Sequence, residues 1–87
     1  MYTDADFCNY IQQAAGEQLL SAKAFAYCFT APDEETRQKR LGFLRDAACG
    51  DPHPEDNSMP GQGLDPARFE QARARWETEW KADPKGF

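Results

Sequence analysis

"TDADFCNYIQQAAGEQLLSAKAFAYCFT", residues 3–30, contains no proline and almost no β-branched residue, and its reading decides how many helices the chain has. Thr3 can cap a helix, and Asp6 three positions on completes a capping box. At about 100° per residue, Cys8, Ile11, Ala15, Leu19, Ala22 and Ala26 fall within a narrow arc, widened on one side by Phe7, Phe25 and Phe29. That arc is expected to face the core. Gly16 interrupts the stretch at a cost of about 1 kcal/mol relative to alanine. Two readings follow: one helix over about 3–30, which the unbroken periodicity favours, or two helices meeting at residues 15–17.

Outward from this stretch the boundaries are chemical. In "TAPDEE" Thr30 can cap, Pro32 suits a first turn, and Asp33, Glu34 and Glu35 suit the positive end of the macrodipole. This predicts a helix over 31–49 with Leu41, Leu44 and Ala48 facing inward and Gly50 as the left-handed residue that ends it. In "LDPARF" Asp65 caps, Pro66 takes the first helical position and Leu64 can staple onto Phe69, giving a last helix over 65–82. Phe69, Ala72, Trp76 and Trp80 form its inward stripe, and Arg73–Glu77, Arg75–Glu79 and Glu77–Lys81 are i,i+4 pairs. No segment alternates as a strand does. The fold class is therefore all-α: a small bundle of three helices, or four if the first breaks at Gly16, with one long loop over 50–64 before the last helix.

An 87-residue chain makes one domain, 1–87, with a small core. Its net charge of −5 is interspersed rather than clustered, which argues against nucleic acid as a partner. "RQKR" at 37–40 is the densest basic run, but acidic residues precede it, and the following loop is too long for a helix-turn-helix. The apolar runs are too short to span a membrane. No secretion signal is legible, and an odd count of three cysteines points to reduced thiols and a cytoplasmic setting.

Chemistry has few places to start. Cys49 and His53 lie four apart, and a metal or thiol site would need Cys8 and Cys28 as well, which a continuous first helix holds about 30 Å apart. A Cys49–His53 nucleophile pair lacks an evident oxyanion element and cleft. Calcium-loop and phosphate-loop spacings are absent. The loop "HPEDNSMPGQG" at 53–63 reads as a connector that is long enough to be a recognition element. No enzymatic role, cofactor or metal is expected.

The apolar surface exceeds what three helices need. Leu20, Ala24 and Tyr27, with Tyr10 and Cys28 at the edge, form a second apolar zone opposite the first. Phe43 points away from Leu41 and Leu44 and sits beside Lys39 and Arg40, an aromatic and cationic mixture typical of interface anchors. The expected function is a small non-catalytic protein, an inhibitor, adaptor or accessory subunit, that binds another protein or itself through Tyr10, Leu20, Ala24, Tyr27, Lys39, Arg40 and Phe43. The competing expectation is a metal-binding or thiol protein using Cys8, Cys28, Cys49 and His53. If instead the first helix runs through the middle of the bundle, the second zone is core and Phe43 covers its end.

Overall fold

The structure, a computed structural model, describes residues 3–53, 55 and 61–85, and every regular element among them is helical. The order is α1 (Asp4–Gln13), a 3₁₀ turn (Gly16–Leu20), α2 (Ala22–Phe29), α3 (Glu34–Cys49) and α4 (Pro66–Ala82). The four-helix form of the bundle is the one the chain adopts.

The long first helix is broken. Thr3 and Asp6 form the capping box as read, and α1 ends where Ala14 and Ala15 turn extended (ψ 148° and 145°) and Gly16 adopts a φ of +57°. The Ala15 amide donates to Gln18 Oε1 at 3.1 Å, and the Gly16 amide donates to Gln62 Oε1 at 3.3 Å, so side chains replace the partners that the helix gives up. The break resets the helical phase. Ala15 is therefore exposed and Cys8 and Ala22 only half-buried, although a continuous helix would align all three with Ile11 and Leu19.

Phasing from Ser21, whose Oγ caps α2, places α2 between the other helices, and every residue from Ala24 to Phe29 is buried. α3 and α4 pack against α2 and each other, and α1 rests on α2. The core holds Phe7, Ile11, Leu19, Phe25, Phe29, Leu44 and Phe69.

α3 starts later than Thr30 predicts. The Thr30 hydroxyl instead turns back to the Ala26 carbonyl of α2. The cap is Asp33, whose Oδ1 accepts the Thr36 amide at 2.7 Å, a bond that holds the Asp33 carboxyl below its ordinary pKa. At the other end Gly50 is extended rather than left-handed (φ −66°), because its neighbour is another backbone. A Cβ on Gly61 would lie 2.5 Å from the Gly50 Cα, so two glycines let the returning chain cross α3 in contact. The left-handed residue is Gly63, at φ +67°.

Both ends of the 50–64 loop are tied down. The Gln62 and Leu64 amides donate to the Ala47 and Ala48 carbonyls, each at 2.9 Å, filling the acceptors that the end of a helix leaves open. Residues 54 and 56–60, within the predicted connector, lie outside the described residues. α4 begins at Asp65 and Pro66 as read and ends before Asp83.

Candidate functional site

The second apolar zone is interior. Leu20 is 8%, Ala24 0% and Tyr27 7% exposed, so these three expected contact residues are corrected to core positions. The reason is the central course of α2: one side meets α4, and the other receives α1. Tyr10 is half-buried, with its hydroxyl donating to the Gln18 carbonyl at 2.8 Å, and the Lys23 ammonium stands 5.5 Å from its ring.

Arg40 is likewise corrected from surface to interior, at 6% exposure. Its Nε donates to Asp4 Oδ1 at 3.0 Å and its Nη1 to the Tyr27 carbonyl at 2.8 Å, which ties the first turn of α1 to the last turn of α2. A buried guanidinium needs such partners, and their removal is costly. Lys39 and Phe43 stay on the surface. Phe43, 38% exposed, meets the buried Phe7 edge-on at 5.6 Å, so its inner edge covers the α1 junction while its outer face is open to water.

The residues of the thiol reading are not gathered. Cys28 is fully buried in α2, where burial pushes its thiol up to about 12 against the pull of Arg40. Cys8 stands on α1 and Cys49 at the end of α3, where burial also raises the thiol. His53 is exposed on the loop, its amide held by Asp51 Oδ1 at 2.8 Å. Among the described residues no three His, Cys, Asp or Glu side chains group to hold a metal ion. No described helix is long and apolar enough to cross a membrane.

What remains open is the outer face of α3. A groove of about 310 Å³ runs between α3 and α4, with Phe29, Leu41 and Phe69 among its lining residues. Most of its wall charges are mutually engaged: Arg37 pairs with Glu34, and Arg73 pairs with Glu70 at 3.0 Å and Glu77 at 2.7 Å. The Arg37 guanidinium also lies 5.0 Å from the centre of the Trp80 ring. The exposed side chains of Arg45, in the groove wall, and of Glu35, Lys39 and Asp46 beside it form no ion pair among the described residues.

Gly42 lies in the middle of this face. It is exposed, its φ is not positive, and a Cβ built on it meets nothing within 4 Å. Periodicity passed over it because a glycine adds nothing to an apolar arc. The legible signal was the residue type itself, a glycine well inside a predicted helix. Comparison of the chain with family models, curated proteins and solved structures finds no match.

Proposed function

We propose that this chain is a small non-catalytic helical protein that acts by binding another protein, as an inhibitor, adaptor or accessory subunit, and that it docks through the outer face of α3. Gly42 carries the reading. A glycine inside a helix costs about 1 kcal/mol relative to alanine. The other described glycines, Gly16, Gly63, Gly50 and Gly61, stand where a left-handed turn or a backbone crossing demands them. Neither demand exists at Gly42, where there is open space and ordinary helical backbone. A backbone approaching closely from outside accounts for it.

The surroundings support the same face. Phe43 offers an apolar anchor on one flank, Leu41 lies in the groove on the other, and charged side chains form the rim, the arrangement of an interface core and its border.

A photo-reactive amino acid placed at the exposed Gln38 or, as a control, at the exposed Gln71 of α4 tests this in cells that make the protein. The expected result is a covalent adduct from position 38 and none from position 71. Absence of adduct at both positions, or equal yield from the two, overturns the reading. The adduct mass identifies what was bound.

A further inference from the structure

Resting on that reading, we infer that the partner at Gly42 is a second copy of this chain, bound by antiparallel pairing of the two α3 helices about a twofold axis that passes between Gly42 and Phe43. The charges of the face carry the inference. Lys39 and Asp46 are seven residues apart, two helical turns on one side of α3, and their midpoint falls beside Gly42.

A twofold interface is self-complementary, so each residue before the axis meets one beyond it. Antiparallel pairing therefore sets Lys39 of one copy against Asp46 of the other, twice. Glu35 of one copy falls against the end of the other α3, at Cys49 and Gly50. Parallel pairing would instead oppose Lys39 to Lys39 and Asp46 to Asp46, and is disfavoured. Lys39 and Asp46 form no ion pair among the described residues, whereas Arg37 and Arg73 of the neighbouring groove are paired.

Close approach at the axis is what Gly42 provides. With no Cβ on either helix, the two backbones can lie nearer than ordinary side chains allow. Phe43, just past the axis, falls on the same side of the pair in both copies. The two exposed rings are then covered together, and burial of large apolar area favours association. The groove to α4, which Gln38, Gly42 and Arg45 also line, adjoins the pairing face on the side away from Phe43.

Sedimentation equilibrium of the full chain tests this, with native mass spectrometry of mixtures. The wild type is expected to show a concentration-dependent monomer–dimer equilibrium. Lys39→Asp and Asp46→Lys alone should each weaken self-association by about tenfold or more, because symmetry repeats each substitution and turns attraction into repulsion. Mixing the two variants should restore association as a heterodimer, and the double variant K39D/D46K should self-associate like the wild type. Both positions are exposed, and circular dichroism should show each variant folded.

A wild type that stays monomeric to about 1 mM overturns the inference, as do single variants that associate like the wild type or a mixture that forms no heterodimer. The two failures are distinguishable. A monomeric chain whose position 38 cross-links a different protein loses only the second copy as partner. A monomeric chain with no adduct loses both readings.

Discussion

α2 is covered on two sides by two rows of aromatic rings, and the rows are built differently. Toward α4, Phe69, Phe25, Phe29 and Trp80 follow one another at centroid distances of 5.5, 5.8 and 5.3 Å, the last two pairs nearly parallel at 24° and 16°. Toward α1, Phe43, Phe7, Tyr27 and Tyr10 follow at 5.6, 5.7 and 5.4 Å, all tilted or edge-on. The first row joins a seventeen-residue helix to the core. The second holds a helix of ten residues, too short to persist alone in water.

That difference explains where the polar anchors are. The α1 side contains the Arg40 bridge from Asp4 to the Tyr27 carbonyl and the Tyr10 hydroxyl on the Gln18 carbonyl. On the α4 side the comparable tie is the Trp76 indole, which donates to the Leu20 carbonyl at 2.9 Å. A short helix gains from directional bonds that fix its position, whereas stacked rings and a long helix hold the other side largely by area.

The largest effect should come from charging the interior that both rows share. Leu20→Glu and Tyr27→Glu place an unpaired carboxylate at 8% and 7% exposed positions and should unfold the chain, a loss above about 4 kcal/mol. Thermal melts of soluble, folded variants would return these residues to the surface and erase the comparison. Next comes truncation within each row. Phe25→Ala, at 0% exposure, should cost about 3 to 5 kcal/mol and lower the stability of every helix together. Phe7→Ala should cost less, because α1 can detach locally and water can fill the edge it leaves. Amide exchange should then rise over residues 4–13 before the rest of the molecule. Uniform acceleration in Phe7→Ala would show that α1 is as integral to the core as α4.

These contrasts bear on what was legible in the sequence. α4 was read closely because its boundaries rest on local chemistry, an Asp cap followed by proline at the first helical position. Periodicity favours one helix over α1 and α2 because it is blind to phase: the arc through Ile11 and Leu19 assumes continuity across Gly16, and a left-handed glycine destroys it. The same pattern leaves Leu20, Ala24 and Tyr27 open to a surface reading, since a central helix and a two-faced surface helix look alike in sequence. Only the tertiary contacts of α1 separate them. The cap at Asp33 was hidden by competition, as Thr30, Pro32 and Asp33 all favour a helix start. Arg40 reads as exposed by residue type, and its burial depends on Asp4, thirty-six positions away.

A smaller effect belongs to the thiol beside Arg40. Burial raises Cys28 to about 12 from 9.0, so the folded state favours the protonated thiol. A raised folded pKa contributes stability fully below pH 9 and loses it progressively as pH rises toward 12. The loss at pH 10 should be on the order of 1 kcal/mol. Cys28→Ala should remove that part of the alkaline slope while paying its own small packing cost at every pH. Identical slopes in the two proteins would place a solvated thiol on the α1 side.

The smallest effect lies outside both rows, at Gly42, and it has the opposite sign. Alanine there should stabilise the free chain by about 0.5 to 1 kcal/mol, because the helix gains propensity and the added methyl meets open space. For a domain of this size that raises the melting temperature by roughly 2 to 8 °C. The same methyl at a close helix crossing should weaken association, so stability and binding move apart in one variant. A core or cap position cannot do this, since improved packing strengthens the fold and leaves an external face unchanged. Melting curves recorded below and above the dimerisation range separate the terms: Gly42→Ala should melt higher than wild type when dilute and lose that advantage when concentrated. A gain that persists unchanged at high concentration would mean that nothing approaches α3 at this point, and that the glycine serves no contact on the outer face.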